Sequence, residues 1–264
     1  MMPKVAIITG ASSGIGRGLA ESYAAAGYSL GLIARREPEL IELKTQLEAK
    51  HACVIELGVC DVSDKQLLFP CIEHMIAVFG QVDLLIANAG VSLASPAYEA
   101  PTAAFETTMQ VNVLGAGYSA YAVIPTMIQQ RCGHIVVISS LAGYRGLPEA
   151  GAYCASKSAV NALFESMRLD LKKYNIKVSV IRPGYIQTPL TDRNEFYMPF
   201  LQSTSAGTKK IFNAIQRQQK IYAFPNILAN LVRTLYFWPC WLFDLCMAGR
   251  RNKKAPDPTM RLSS

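Results

Sequence analysis

The sequence predicts a doubly wound α/β fold: a parallel sheet of about seven strands, helices on both faces, and a helical extension at the C-terminus. Three observations carry this. Short runs rich in Val, Ile and Leu recur along the chain and are continuous rather than alternating, as strands covered on both faces require. Segments of helical period separate them, and strand-helix alternation repeated this often means parallel pairing through crossover connections. No Pro-, Ser- or Gly-rich linker divides the first 220 residues, so one domain holds them.

The first run, "KVAIITG" from Lys4, passes directly into "TGASSGIG" (Thr9 to Gly16) and then into "RGLAESYAAAG", a good helix former predicted over 17–26. Gly10, Gly14 and Gly16 permit a tight turn, remove side chains where a diphosphate must approach, and let helix and strand pack closely. The helix N-terminus then faces the anion, with Ser12, Ser13 and Ile15 in the same loop. The plain alternative is an ordinary βα turn. The second run, "SLGLIAR", ends at Arg35 and Arg36, where a protein using NAD often places an acid against the ribose 2′-hydroxyl. Arginine suits a 2′-phosphate, which makes NADP(H) the expected cofactor; otherwise the two arginines solvate the start of a helix over 38–50.

The third run, "ACVIELGVCDV", ends at Asp61 and Val62, placed to meet an adenine edge, although Asp61 or Ser63 could equally cap the helix over 64–79. "VDLLIANAG" is the fourth, ending in Asn88, Ala89 and Gly90 before a long helix over 102–130. "HIVVISS" ends at Ser139 and Ser140, ahead of a helix over 152–174 that carries "YCASK". "KVSVIRPG" brings Pro183 and Gly184 to the carboxyl edge of the sheet, where ligands of open α/β folds sit. Residues 189–220, with a helix over 205–219, are expected to form a substrate lid. Phe196, Tyr197, Met198, Phe200 and Leu201 make it an apolar pocket wall or merely close the core. "KIYAFP" is the seventh strand.

Composition narrows the function. With 51% hydrophobic and 17% charged residues the chain is globular. Of its formal charge of +7, the tail over 250–264 supplies +4 from five basic side chains and one acid, so no nucleic-acid surface is expected. Seven scattered cysteines in mostly apolar runs predict reduced, buried thiols and a cytosol-facing compartment. An apolar β-branched run begins almost at once, so no cleaved leader is expected. His51, His74 and His134 are isolated from one another, so no metal site is expected.

Taken together, "TGASSGIG", "ANAG" at 87–90, Asn112 in "VNVLG", "VVISS", "YCASK" at 153–157 and "RPG" at 182–184 stand in an order and spacing that resembles the short-chain dehydrogenase/reductase family, over about residues 4–190. The resemblance implies a Rossmann-like sheet and hydride transfer between a nicotinamide and a carbonyl/alcohol pair. Tyr153 and Lys157, one helical turn apart, project from one face, and the ammonium together with an oxidised nicotinamide is expected to favour the phenolate of a phenol whose ordinary pKa is about 10. Tyr153 would be the general acid in reduction and the base in oxidation, and Ser140 would donate to the substrate oxygen. Ser140 is preferred to Ser139 because the family's spacing to the tyrosine is thirteen residues. Lys157 would also hold the nicotinamide ribose. Asn112, by resemblance, interrupts its helix and holds a water that relays protons to Lys157. Ile186 and Thr188 would meet the carboxamide. "ANAG" departs from the family's commoner double asparagine in having Ala87 first, while Asn88, Ala89 and Gly90 are kept.

The chain divides into a dinucleotide-binding and catalytic domain over 1–224 and an extension over 225–264. In the extension, apolar residues at 227, 228, 231, 232, 235 and 238 make one helical face with Asn226 as N-cap, and Pro239 begins a second helix striped by Trp241, Leu242, Leu245 and Cys246. Arg233, Asp244, Pro225 and Pro239 break any bilayer span. The hairpin with the following "RRNKK" is either a membrane-surface element over 226–254 or an extension packed over the active-site mouth or a subunit interface. The expected protein is therefore an NADP(H)-dependent oxidoreductase of a hydrophobic or lipid-like substrate, cytoplasmic or peripheral at a membrane. A dimer or tetramer packed through the helices of Asn112 and Tyr153 is implied by resemblance. The rival is a catalytically idle NADP(H) sensor or scaffold, which would have no need of Asn112, Ser140, Tyr153 and Lys157 together.

Overall fold

A computed structural model describes residues 3–192, 194 and 196–247 of the chain. Its seven strands, β1 (Val5–Thr9), β2 (Ser29–Ala34), β3 (Ile55–Val59), β4 (Leu84–Ala87), β5 (Gly133–Ile138), β6 (Ile176–Pro183) and β7 (Ile221–Phe224), form one sheet in the order β3-β2-β1-β4-β5-β6-β7. Every pairing is parallel. Every residue of β1, β2 and β4 is buried, which explains the continuous apolar runs: a strand covered on both faces has no polar side to alternate with.

Helices α1 (Gly14–Ala25), α2 (Glu37–Lys50) and α7 (Thr204–Gln216) cover one face, with Leu19, Tyr23, Leu40, Leu43, Ile211 and Ile215 inward. On the other face lie α3 (Lys65–Phe79), α5 (Ala116–Gln130) and α6 (Gly151–Asp170), whose Ile72, Met75, Val123, Met127, Val160 and Phe164 form the second core. The chain builds outward from β1 to β3 and then returns to the other side of β1 as β4. At that reversal the helices that follow β1 and β4 lie on opposite faces of the sheet, and the carboxyl edge there is where open α/β folds take their ligands.

Several expected boundaries shift. The helix expected over 102–130 is α4 (Thr102–Met109), a π-helical segment Gln110–Gly115 and α5. The helix expected over 152–174 ends as α6 and is followed by a 3-10 turn, Leu171–Tyr174. The expected lid over 189–220 is too long, because α7 belongs to the core: Thr208 abuts Gly18 so closely that a Cβ there would lie 2.9 Å from the threonine side chain. The segment ahead of α7 behaves differently. Phe196, Tyr197, Phe200 and Leu201 are exposed, so they do not close the core.

The extension forms α8 (Asn226–Leu235) and α9 (Cys240–Met247). Pro225 rather than Asn226 is the N-cap, and no side chain caps the helix. The single apolar face expected of α8 is split: Leu228 and Val232 pack on Leu141, Tyr144 and Tyr185, while Ile227 and Leu231 face outward. In α9 the buried residue is Phe243, not the expected stripe, whose Trp241, Leu245 and Cys246 are exposed. All seven cysteines are free thiols, but only Cys60 and Cys154 are buried. Apolar sequence around Cys240 and Cys246 suggested burial, and the hairpin turns that sequence outward instead. "RRNKK" lies outside the described residues.

Candidate active site

The turn leaving β1 is shaped by steric exclusion. Gly10 and Gly14 adopt φ of +67° and +53°, where a side chain would be strained. A Cβ on Gly16 would lie 2.2 Å from the Gly10 carbonyl oxygen, so no larger residue fits. Ser13 is the N-cap of α1 but its side chain makes no cap bond, which leaves the first-turn amides for another acceptor. Uncapped amides, a cleared approach and a positive helix end fit a dinucleotide's diphosphate. Asn88 holds the turn to β4 through Nδ2, which donates to the carbonyls of Thr9 at 3.0 Å and Gly10 at 3.3 Å. In return the Thr9 hydroxyl accepts from the amides of Asn88 and Ala89, both at 3.1 Å. Thr9 is a positioning residue that sequence reading missed, because its role lies in a contact with residues about eighty positions away.

The turn also matches the G-x-S-x-G spacing of a hydrolase nucleophile elbow at Gly10-Ala11-Ser12-Ser13-Gly14. Ser12 is buried and accepts from Arg36 Nη2 at 3.0 Å, an arrangement that fixes the loop and offers no histidine base. Arg36 also pairs with Glu39 at 3.1 Å, and Arg35 with Asp61 at 3.3 Å. Burial opposes ionisation of Asp61, but the Ser63 amide and hydroxyl and the Arg35 guanidinium outweigh it and hold the carboxyl below its ordinary range. Neither Asp61 nor Ser63 caps α3, since Asp64 accepts from the amides of Gln66 and Leu67. Val62 does not offer its side chain to an adenine: it is buried under Gly115, where an added Cβ would approach it to 2.6 Å.

On the far side of the crevice the structure brings Asn112, Ser140, Tyr153 and Lys157 together. Asn112 is 1% exposed and lies in the π-helical segment. Its Oδ1 accepts from the Val91 amide at 2.8 Å, and its Nδ2 donates to the Val91 carbonyl at 2.9 Å and Ser156 Oγ at 3.0 Å. Gly90 lies beside it, so that a Cβ there would stand 3.3 Å from Asn112 Oδ1 and 3.6 Å from Lys157 Nζ. Ser156 was not anticipated, and its hydroxyl in turn donates to the Tyr153 carbonyl at 2.8 Å.

The two serines at the end of β5 separate cleanly. Ser139 is buried and donates to the Lys157 carbonyl at 3.2 Å, while Ser140 hydrogen-bonds the Tyr153 hydroxyl and accepts from the Ala142 amide at 3.1 Å. In this geometry Lys157 is not among the groups that move the phenol's pKa. Burial dominates and pushes the Tyr153 pKa up to about 12, against a smaller lowering by Ser140. Lys157 Nζ donates to the Ile138 carbonyl at 2.9 Å and lies 5.7 Å from the tyrosine ring centre, and burial pulls its own pKa down to about 8. Sharing a helix face does not by itself aim the ammonium at the phenol oxygen.

Pro183 and Gly184 end β6 at this edge, with Leu228, Pro225 and Leu141 within 3.4 Å of where a Gly184 Cβ would stand. Thr188 packs over Gly14, 3.0 Å from an added Cβ, which joins the loop after β6 to the phosphate turn. The Ile186 side chain is buried against Gly207 of α7, so only its backbone is left for a ligand. Cys154 is buried beside the tyrosine and its thiol pKa is raised by burial, as suits a packing residue.

The fold and the glycine turn define a nucleotide-binding α/β protein of the doubly wound class. Residues 4–196 match the family model described as short chain dehydrogenase, and the chain belongs to that family of oxidoreductases. An uncharacterized oxidoreductase of Myxococcus xanthus is 37% identical over 251 residues, covering 95% of this chain and 98% of that one. Among solved structures, a short chain dehydrogenase/reductase from Burkholderia phymatum in complex with NAD is 27% identical, covers 97% of this chain and 98% of its own, and superposes with a TM-score of 0.79. ElxO with NADP bound is 26% identical, with coverages of 84% and 97% and a TM-score of 0.76.

Proposed function

We propose that the protein is an NADP(H)-dependent reductase of carbonyl groups on hydrophobic molecules, with Asn112, Ser140, Tyr153 and Lys157 as its working set. The observation that carries this is the Ser140–Tyr153 hydroxyl pair at the crevice mouth, beside a buried lysine. The nicotinamide, when bound, supplies hydride to the carbonyl carbon. Ser140 then donates to the oxygen as negative charge grows on it, and Tyr153 delivers the proton that makes the alcohol. At neutral pH the Tyr153 phenol carries its proton, as the group that completes the alcohol in reduction must. Lys157 holds the ribose hydroxyls, and Asn112 fixes the backbone of Val91 beside it.

NADP(H) rather than NAD(H) is supported by Arg35 and Arg36 at the end of β2, both exposed, with Arg36 already tied to the phosphate turn through Ser12. Contact with the 2′-phosphate would draw Arg35 from Asp61. An apolar substrate is supported by Phe196, Tyr197, Phe200 and Leu201, which expose their side chains beside Tyr185, whose ring lies 6.0 Å from that of Phe196. A homo-oligomer packed through α4 to α6 is supported by exposed Phe105, Leu114, Tyr121 and Leu169.

The test is fluorescence titration of the purified protein with NADPH and NADH, followed by NADPH oxidation with aldehydes and ketones of increasing chain length. Tighter NADPH binding, reversed by Arg35→Asp, and turnover that rises with chain length are expected. Binding with no turnover in either direction would favour the sensor, and absence of nucleotide binding would overturn the reading.

A further inference from the structure

We infer that the α8–α9 hairpin is a docking surface for anionic phospholipid bilayers, holding the crevice mouth against the membrane. One side of the hairpin is committed to the protein. Leu228 and Ala229 are buried against Leu141, which follows Ser140, and against Tyr185. Arg145, in the same loop as Leu141, donates to the carbonyl of Leu235 and, at 3.1 Å, to that of Trp238, and stacks 3.9 Å over the ring of Phe243. The hairpin is therefore fixed to the catalytic loop from both of its helices.

Its other side is apolar and uncovered. Phe237 is 80% exposed, Trp241 and Leu245 70%, Ile227 69%, Tyr236 62% and Leu231 52%. So many large apolar side chains in about twenty residues are a patch, not scattered surface residues. Tyr185, packed under the inner face of α8, also lies edge-on to Phe196, so exposed apolar side chains of the segment ahead of α7 stand beside the hairpin's base.

Length and charge identify the occupant. α8 has 10 residues and α9 has 8, about 15 and 12 Å of helix against about 30 Å of hydrocarbon, so the hairpin lies in an interface and does not cross it. Among the described residues one helical stretch, Thr102–Gln130, is long and apolar enough to span, and 56% of its apolar window is buried in the protein. Residues 248–264 contain only Met260 and Leu262 as large apolar side chains, too few to match a patch of this size. That tail instead brings Arg250, Arg251, Lys253 and Lys254 directly after α9, with Asp257 as its one acid. Aromatic residues followed by a cationic run match the headgroup boundary of a negatively charged leaflet. Four like charges next in sequence favour an anionic surface over a second copy of the same chain.

Both tryptophans of the chain, Trp238 and Trp241, lie in this hairpin, so intrinsic tryptophan emission reports on it alone. The full-length protein would be mixed with vesicles of phosphatidylcholine, or of phosphatidylcholine with phosphatidylglycerol. A blue shift and co-sedimentation with the anionic vesicles are expected, with binding to neutral vesicles or in high salt weaker by about tenfold or more. The Phe237→Ser/Trp241→Ser variant should lose sedimentation by a similar factor while binding nucleotide as the wild type does. Equal sedimentation of variant and wild type, or none by the wild type, would overturn the assignment. So would a dimer in sedimentation analysis that the variant splits while vesicles stay unbound, since a second copy would then cover the patch. None of these readouts depends on turnover, so the docking surface and the reductase reading fail separately.

Discussion

Two regions flank the crevice mouth and are built on opposite terms. The floor, from Asn112 to Lys157, is a set of buried polar groups, each held by hydrogen bonds from a different element: Asn112 by Val91, Ser139 by the Lys157 carbonyl, and Lys157 by the Ile138 carbonyl. The roof, α8–α9, is apolar, clamped at one side by Arg145 and open on the other. Burying polar groups is unfavourable unless each finds a partner, so the floor tolerates one arrangement. Apolar contact is non-directional, so the roof tolerates many. Geometry that must be right for chemistry sits in the first, and surface that must suit a fluid partner sits in the second.

The largest effect expected belongs to the floor. Tyr153→Phe removes the proton donor while leaving the ring that packs there. Turnover should fall by a factor on the order of 10² to 10⁴ with nucleotide affinity kept, as stopped-flow and fluorescence titration would read. A variant that retained activity would move the proton source elsewhere and dissolve the contrast.

Lys157 gives the next effect, and it has a sign. Its pKa is about 8 folded against an ordinary 10.5. Below pH 8 it is charged in both states and the folded protein bears the full unfavourable burial, whereas above 10.5 it is neutral in both. The unfolded chain binds more protons between those values, so stability should rise with pH across that window by up to about 3 kcal/mol relative to Lys157→Met, read by denaturant melts at stepped pH. A difference that stayed flat would mean that the ammonium is better solvated than its 5% exposure implies.

These floor residues were legible in the sequence because their spacing is local or fixed by short motifs at strand ends. Tyr153 and Lys157 share a turn of helix, Ser140 ends a strand, and three glycines mark the phosphate turn. Partners of the motifs were not legible: Thr9 and Ser156 act through residues 79 and 44 positions away, and periodicity carries no such information. The π-helical segment at Asn112 was expected only as an interruption. In the roof, apolar spacing correctly announced two helices but not which stripe packs inward, because a stripe says that a face is apolar and not what covers it. The exposed aromatics from Phe196 likewise mark a lid without marking where it ends, so the expectation runs on across α7.

Asn112→Ala sharpens the contrast at smaller scale. It leaves the buried amide and carbonyl of Val91 and the hydroxyl of Ser156 without their partner, and should lower stability by about 2 kcal/mol or more in denaturant melts. Asn112→Asp keeps the acceptor for the Val91 amide but sets a buried carboxylate oxygen against the Val91 carbonyl, so it should cost at least as much. If the alanine variant were as stable as wild type, water would be replacing the asparagine, and the floor would be less exacting than its bonds suggest.

The smallest effect separates the two faces of one helix. Leu228 and Leu231 are the same residue in the same α8, one turn apart, so their helix propensities cancel. Leu228 is 9% exposed against Leu141 and Tyr185, and Leu231 is 52% exposed. Leu228→Ala should cost about 2 kcal/mol, the low end for a core leucine because one side can relax. Leu231→Ala should stay within about 0.5 kcal/mol, as surface substitutions do. Thermal melts of the two variants measure how firmly the roof is held. Equal, small losses would mean that α8 is not packed on the catalytic loop in solution. Equal, large losses would mean that the outer face is already covered, in which case vesicles would find nothing to bind.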